Sequence, residues 1–282
     1  MKILRLIWAV LLPASLLLSC DHRLDDPSPL GQFRLKSVSY NARTVNGIPR
    51  QQRGYQLTYN SKGSVISYTF SYTQGNGLFF QQYRVERDAQ DRPVQVVTDL
   101  SNSFIGEFMT YTHSPDAPVS QITTWNRGID PTDPTKRTDQ VLRRYGYVYT
   151  AQQGVLVPQP VKRLYLESQL TINNAQEDYT FVNGNAVTIN GTTYTYDDKP
   201  NPYYGLLGFN GFMVFSENPQ LARPANTPFD NSDYFADIQV KLFNRNNITN
   251  NTKQITYNAD GLVTRIEYTN GNVEEFIYER KP

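Results

Sequence analysis

A seven-residue pattern that occurs twice restricts the fold of this chain more than any other feature. Its two matching copies are Tyr59-Asn60-x-x-Gly63-x-Val65 and Tyr257-Asn258-x-x-Gly261-x-Val263. Asn favours a turn because its side chain bonds the backbone two residues on, and Gly supplies the positive φ that such turns require. Runs of alternating apolar and polar residues flank each copy, as expected of half-buried strands. The pattern therefore predicts β-hairpins near both ends of the body of the chain.

Weaker copies and further hairpin turns extend this pattern through the chain. The weaker copies are Arg87-Asp88-x-x-Asp91-x-Pro93 and His113-Ser114-x-x-Ala117-x-Val119. Asn-Gly pairs at 183–184 and 190–191 lie between alternating runs and predict a three-stranded meander over residues 179–196. A single hairpin is marginal in water, so neighbouring hairpins must pair edge to edge to bury an apolar face.

These signals predict an all-β fold made of one long antiparallel meander of hairpins, either curved or closed into a barrel-like sheet. The composition agrees, because 20 Tyr and 14 Phe favour strands over helices. Residues 205–248 interrupt the pattern with three prolines. We expect this irregular excursion to pack over one end of the sheet, with 234–243 forming either a short helix or a strand.

The first 20 residues carry an export signal. Lys2 and Arg5 precede a short apolar run, which is too short to span a bilayer. The run ends in Leu17-Leu18-Ser19-Cys20, which resembles the bacterial lipobox. In proteins with that motif the signal is cut before the cysteine, and the cysteine receives acyl chains that anchor the protein durably in a membrane.

The expected organisation is therefore a lipoprotein signal peptide at 1–19, a lipidated flexible tether at 20–31 and one all-β hairpin-repeat domain at 32–282. Cys20 is the single cysteine, so the mature chain has no disulfide. We expect an outer-membrane lipoprotein that faces the periplasm or the cell surface. Loss of Lys2 and Arg5 with the signal brings the formal net charge from +1 to about −1, and the chain lacks the basic stripe of a nucleic-acid-binding protein.

The body of the chain also resembles a group of Bacteroidota lipoproteins that have Tyr-Asp (RHS-like) β-hairpin repeats and no assigned chemistry. The resemblance covers residues 30–282 and includes a "YDDKxNPY" segment and a closing "YNxxGxVxxI" unit. The first of these reads here Tyr194-x-Tyr196-Asp197-Asp198-Lys199-x-Asn201-Pro202-Tyr203-Tyr204. The resemblance implies an antiparallel meander, curved or closed like a small barrel, and no particular activity.

Residues suited to nucleophilic or metal chemistry are few. The two histidines are His22, in the tether, and His113, whose position matches Tyr59 and Tyr257 in the repeat and predicts a ring at a strand end. Asp130, Asp133 and Asp139 lie in or beside a proline-rich loop and offer oxygen ligands that suit calcium. Their spacing and the neighbouring prolines favour a plain rigid loop instead. We therefore expect no metal and no cofactor, and the catalytic residues of any activity are unknown.

The aromatic residues leave two functional alternatives open. The first is a non-enzymatic envelope module that binds a glycan or an envelope protein, with Trp125, Tyr203 and Tyr204 as candidate stacking residues. The second is a glycoside hydrolase acting on envelope or dietary polysaccharide, which needs two converging carboxylates about 5–10 Å apart. Candidates for such a pair include Glu274 and Glu275. The sequence favours the first alternative.

The lipid anchor can be tested by metabolic labelling with an alkyne fatty acid. We expect the wild-type chain to carry label and Cys20→Ala to carry none, because the cysteine thiol and the amine created by cleavage are the acylation sites. Labelled protein is measured by in-gel fluorescence after click chemistry. Equal labelling of both chains would contradict the anchor.

Overall fold

The computed structural model describes eleven stretches of the chain: 30–41, 52–74, 77–98, 106–114, 117–149, 159–168, 176–189, 191–206, 242–250, 252–269 and 271–282. The predicted signal peptide, Cys20 and most of the tether lie outside these residues, as does 207–241 of the predicted excursion. The described residues form seventeen strands: β1 Phe33–Asn41, β2 Gln52–Tyr59, β3 Val65–Gln74, β4 Gly77–Arg87, β5 Pro93–Thr98, β6 Gly106–Ser114, β7 Ala117–Asp130, β8 Asp133–Tyr149, β9 Pro160–Ser168, β10 Gln176–Val182, β11 Asn185–Ile189, β12 Thr192–Thr193, β13 Tyr196–Pro200, β14 Asn246–Ile248, β15 Thr252–Tyr257, β16 Val263–Tyr268 and β17 Val273–Arg280.

The predicted repeat forms one kind of turn. In the turn between β2 and β3, the Asn60 side chain accepts hydrogen bonds from the backbone N–H groups of Lys62 and Ser64. Asp88 and Asn258 accept the equivalent pairs in the turns between β4 and β5 and between β15 and β16. The fourth turn residue has positive φ in every case, at Gly63, Asp91 and Gly261. A type I turn followed by a bulge at such a residue joins two strands with the correct twist.

In three of the four repeats, the first residue also ties its strand to the preceding strand. Tyr59 on β2 donates its hydroxyl hydrogen to the carbonyl of Leu35 on β1. Two more first-position side chains, and Tyr278 on β17, do the same: Arg87 donates to Val65, His113 to Pro93, and Tyr278 to Val263. The repeat therefore specifies lateral contacts as well as turns, and His113 lies at a strand end as its place in the repeat predicts.

Fifteen strands form one antiparallel sheet in the order β12 to β1 followed by β17, β16 and β15. The sheet is the predicted meander, in which the first and last strands of the domain pair with each other near one edge, with only β16 and β15 beyond them. Phe33 lies opposite Arg280 and Asn41 opposite Val273. The meander predicted over 179–196 is present as β10, β11 and β12, although β12 is only two residues long.

Aromatic side chains cover the inner face of the sheet. Tyr55 on β2 stacks on Phe70 on β3 with ring centroids 4.8 Å apart, and Tyr68 stacks on Tyr83 on β4 at the same distance. Each pair is directly opposite across neighbouring strands, where side-chain contacts stabilise a sheet most effectively. Burial raises the pKa of the Tyr55 hydroxyl well above its usual value.

Two segments on either side of residues 207–241 fill the concave side of the sheet, the first of them beginning before the predicted excursion. We call Asn201–Leu206 and Leu242–Asn244 the plug; the two segments are joined by hydrogen bonds, including Gly205 N–H to the Leu242 carbonyl. Tyr203 packs against Phe276 on β17, and Phe243 packs against Tyr147 on β8. These strands are eight places apart in the sheet. In a flat sheet that separation would be about 38 Å, so the sheet must curve around the plug.

The described parts of the excursion lie in the core, and its last residues form β14, which pairs with β13 as a two-stranded ribbon. How residues 207–241 connect these parts lies outside the described residues. Asn185 on β11 and Asn246 on β14 exchange hydrogen bonds. Tyr257 on β15 donates to Asp197 on β13. The ribbon thus contacts both end regions of the sheet, whose described strands remain open rather than closed by a continuous backbone ladder.

Successive hairpins in an antiparallel sheet turn at alternate ends. The Asx turns and residues 30–32 lie at one end, which we call the tether end. The tip of the β7–β8 hairpin lies at the other, the arm end. None of the described residues of β6 or β9 pairs with residues 128–142, so this part of the hairpin, which we call the arm, extends beyond the described parts of its neighbours.

The turn geometry can be tested at Gly63. We expect Gly63→Ala to lower the free energy of unfolding by about 1 kcal/mol, because an alanine is strained at positive φ. No atom lies within 4 Å of the added Cβ, so the change tests backbone strain alone. Gly63→Asn is expected to cost less, because Asn tolerates this conformation.

Urea unfolding followed by circular dichroism gives the measurement. Gly128→Ala in β7 is the control, because its Cβ would make only an ordinary contact with Thr138. A loss of stability equal to that of Gly63→Ala at this control site would contradict the role assigned to the turn.

Candidate functional site

Two aromatic side chains stack on the outer face of the sheet, away from the plug. Phe108 on β6 and Trp125 on β7 are directly opposite each other. Their rings are nearly parallel, with an interplanar angle of 7° and centroids 6.0 Å apart. Both point outward, because the alternating neighbours Met109 and Ile122 are in the core on the inner face. Phe108 is buried, and Trp125 is half-buried.

Polar side chains hold these rings in place. The indole N–H of Trp125 donates to the Thr110 hydroxyl at 2.9 Å. The Arg127 guanidinium lies over the Phe108 ring, 4.7 Å from its centroid. Asp139 on β8 accepts two hydrogen bonds from that guanidinium, each 2.8 Å long. We call these five side chains together the Trp125 surface.

The charges of the Trp125 surface are mutually stabilised. Hydrogen bonding to Arg127 lowers the pKa of the Asp139 carboxyl, and hydrogen bonding to Asp139 raises the pKa of Arg127. Both groups therefore stay ionised near neutral pH, and the pair has no net charge. The surface combines an apolar ring with a fixed donor and a fixed acceptor, which suits binding of a polar ligand that has one apolar face.

The other two candidate stacking residues lie elsewhere. Tyr203 belongs to the plug on the inner face, where its side chain is 1% exposed and its hydroxyl donates to Glu274. Tyr204, half-buried, follows it in the turn that Asn201 initiates. The structure therefore does not bring Trp125 together with these two tyrosines, and the use of any of the three in ligand binding stays a prediction.

Glu274 is a buried carboxylate on the inner face of β17, with no exposed surface. Tyr268 on β16 donates to it at 2.5 Å, and Tyr203 of the plug donates to its other oxygen. Burial, together with the negative charge of Glu274, raises the pKa of the Tyr268 hydroxyl well above its usual value. Burial, followed by the same charge, also raises the pKa of the Tyr40 hydroxyl. These contacts make Glu274 the attachment point of the plug to the sheet.

Asp197 is a second carboxylate with a structural role. It accepts hydrogen bonds from the backbone and side-chain N–H groups of Asn247 and from the Tyr257 hydroxyl, while its neighbour Asp198 is exposed. Two adjacent carboxylates at a turn are commonly solvated, but Asp197 is hydrogen-bonded across the ribbon. The signal that could have identified it is the Asn-rich stretch at 244–250, which supplies partners across the ribbon.

The aspartates of the arm are also used locally. Asp130 accepts hydrogen bonds from the backbone and hydroxyl of Thr132, and Asp133 accepts the same pair from Thr135. These bonds lower the pKa of both carboxyls. Among the described residues no group of three or more His, Cys, Asp or Glu side chains could hold a metal ion.

A small cleft lies beside the plug, with a volume of about 20 Å³, which is room for one water molecule. Its lining contains no carboxylate and consists of Asn201, Pro202, Tyr203, Asn247, Ile248, Asn250, Ile266 and Tyr268.

In the part of the chain that the structure describes, no helix has the length and hydropathy needed to cross a bilayer.

Comparisons with known proteins give a match at the level of fold. No family model matches the chain, and no curated protein matches it in sequence. The chain is similar in structure to a porin-like protein from Bacteroides uniformis ATCC 8492, with a TM-score of 0.50 and 14% sequence identity. The match covers 87% of this chain and 98% of that protein. At this identity the similarity shows a shared all-β fold.

The attachment of the plug through Glu274 can be tested with a double-mutant cycle. We expect Tyr203→Phe to lower the free energy of unfolding by about 1.5–3 kcal/mol, because it removes a hydrogen bond to a buried charge. Its effect should be strongly non-additive with that of Glu274→Gln. The free energies come from urea unfolding.

Glu275→Gln is the matched control, since Glu275 is the next residue, points to the opposite face and pairs with Arg265. Tyr203→Phe and Glu275→Gln should be additive within about 0.5 kcal/mol. Additive effects of Tyr203→Phe and Glu274→Gln would show that Glu274 does not hold the plug.

Proposed function

We propose that this chain is a lipid-anchored module of the bacterial cell envelope that binds a glycan through the Trp125 surface. The single observation that carries the proposal is the stacked Phe108–Trp125 pair on the outer face, fixed by Thr110 and by the Arg127–Asp139 ion pair. An aromatic ring held rigidly at the surface loses little conformational entropy when a sugar ring stacks on it.

The position of the Trp125 surface suits a tethered binding module. Trp125 lies about 27 Å along β7 from Ala117 at the tether end, taking about 3.4 Å per residue. The ten residues from Cys20 to Leu30 can reach at most about 35 Å. An anchor at Cys20 would therefore hold the tether end within about 35 Å of the membrane. The Trp125 surface lies at a distance from that end, where it is accessible to a ligand.

The outer face of β2 and β3 is polar, whereas the next strand, β4, exposes Leu78 and Phe80 on that face. On β2 and β3 it carries Gln56, Thr58, Ser67, Thr69 and Ser71, while their alternating neighbours are in the core. Such a face suits contact with water rather than with hydrocarbon. This polarity supports a domain that stands in an aqueous compartment and depends on a separate anchor.

Two further kinds of observation support an assignment to the cell envelope: one concerns the fold, and the other concerns the sequence. The fold match is to a porin-like protein from a Bacteroides species. The lipobox-like segment ending at Cys20 and the likeness to Bacteroidota lipoproteins with Tyr-Asp hairpin repeats support the finer assignment to an outer-membrane lipoprotein. No observation in the described residues specifically favours the glycoside hydrolase alternative.

Glycan binding is tested by applying the full chain, in detergent micelles, to a glycan array. We expect Trp125→Ala to lose at least tenfold in affinity for any glycan that the wild type retains, because the stacking ring is removed. Phe80→Ala is the control, since Phe80 is an exposed aromatic on the outer face of β4 outside the Trp125 surface. It should bind like the wild type.

Two outcomes would overturn the proposal. One is a wild-type chain that retains no glycan; the other is equal loss of binding in Trp125→Ala and Phe80→Ala. Capture of an envelope protein by the wild type and by Trp125→Ala alike, with no glycan retained, would replace the glycan with a protein partner at another surface.

A further inference from the structure

We infer that the Arg127–Asp139 ion pair makes the Trp125 surface selective for neutral glycans whose sugar units carry two adjacent free hydroxyl groups. This inference rests on the proposed function and names the class of ligand. It concerns the groups beside the ring rather than the ring itself, and so it can fail while the proposed function stands.

The ion pair places a hydrogen-bond donor directly beside an acceptor. The Nε and Nη2 atoms of Arg127 donate to the two oxygens of Asp139. Within the described residues, Nη1 of Arg127 donates to no acceptor, so its two N–H groups are available. Each carboxylate oxygen of Asp139 has a second lone pair. Adjacent hydroxyls of a sugar can accept from the guanidinium through one oxygen and donate to the carboxylate through the other.

The charge of the pair decides between neutral and acidic sugars. A lone arginine would attract a uronic acid or a phosphate through a two-pronged hydrogen bond. Here Asp139 already accepts this pair of hydrogen bonds from the guanidinium, and its own negative charge repels a second carboxylate. The remaining charged residues of the arm are two acidic and two basic, namely Asp130, Asp133, Lys136 and Arg137. The surface therefore offers no net positive charge to an anionic ligand.

Neighbouring side chains hold Arg127 and Trp125 in fixed positions. Arg127 is held between Asp139 and the face of Phe108, and Trp125 is held by Phe108 and Thr110. Because the indole N–H is already used by Thr110, Trp125 offers a ring face rather than a donor. The hydrogen bonding that distinguishes one sugar from another is then left to Arg127 and Asp139.

Isothermal titration calorimetry of the full chain in detergent micelles tests the inference with soluble hexasaccharides. The neutral 1,4-linked probes are cellohexaose, mannohexaose and xylohexaose, in which every internal unit keeps adjacent hydroxyls at C2 and C3. Laminarihexaose is neutral, but its 1,3-linkage removes that pair from internal units. Hexagalacturonate keeps the pair and adds a carboxylate to each unit.

We expect at least one neutral 1,4-linked probe to bind at least tenfold more tightly than both laminarihexaose and hexagalacturonate. Asp139→Asn should weaken that probe about tenfold and strengthen hexagalacturonate, because Arg127 then has an uncompensated charge. Glu275→Gln is the matched control: it neutralises the partner of Arg265, at 2.8 Å, on the outer face of β17. It should leave all affinities unchanged.

Three results would overturn the inference. Tightest binding of hexagalacturonate by the wild type would contradict neutral selectivity, and equal binding of laminarihexaose would contradict the need for adjacent hydroxyls. An unchanged affinity ratio in Asp139→Asn would remove the ion pair as its cause. In each case Trp125-dependent binding would leave the proposed function intact, whereas no Trp125-dependent binding of any probe would overturn both.

Discussion

The structure depends on covering one apolar face of a very wide sheet. Fifteen strands present an inner face of Tyr, Phe, Leu and Val side chains, and a flat sheet would leave that face in water. The plug resolves this by contacting β17 through Tyr203 and β8 through Phe243, which forces the strands between them to curve. Burial of these side chains is the main source of stability available to a mature chain without disulfides.

The second constraint is the buried charge at Glu274. A carboxylate without exposed surface is costly unless its oxygens accept hydrogen bonds. Tyr203 and Tyr268 meet that requirement only when the plug lies in place and β16 is in register with β17. The ends of the domain meet in the same region, because β1 pairs with β17. Contacts between residues more than 200 positions apart therefore complete the core, which is characteristic of a slowly folding topology.

The sequence predicts the local part of this fold well. The hairpin turns at Asn60 and Asn258 and the meander with Asn183-Gly184 are confirmed, because turn chemistry and period-two alternation act over a few residues. The fold class follows from them, and even the weak copy at Asp88 forms the same turn.

What the sequence could not predict depends on long-range contacts. No local signal pairs β1 with β17 or carries residues 201–206 into the core. The sequence could have placed Glu274 on the inner face, since it alternates with the aromatic residues Phe276 and Tyr278 along β17. At the candidate site, Trp125 could be chosen as the single tryptophan after the signal. Its partners Phe108, Arg127 and Asp139 come from three strands and became visible only with the register between β6, β7 and β8.

The function argued for this chain follows from that register. One face of the sheet is used for the core, and the other presents a fixed aromatic ring beside a neutral ion pair, at a distance from the anchor expected at Cys20. The chain has two tryptophans, and removal of the predicted signal peptide with Trp8 leaves Trp125 as the only one. Its fluorescence then reports on this surface alone.

The most direct measurement is acrylamide quenching of that fluorescence during titration of the mature, lipidated chain with a neutral 1,4-linked oligosaccharide. The account predicts a saturable fall in the quenching constant as the sugar covers the indole ring. An oligosaccharide that binds by calorimetry while the quenching constant of Trp125 stays unchanged would contradict it.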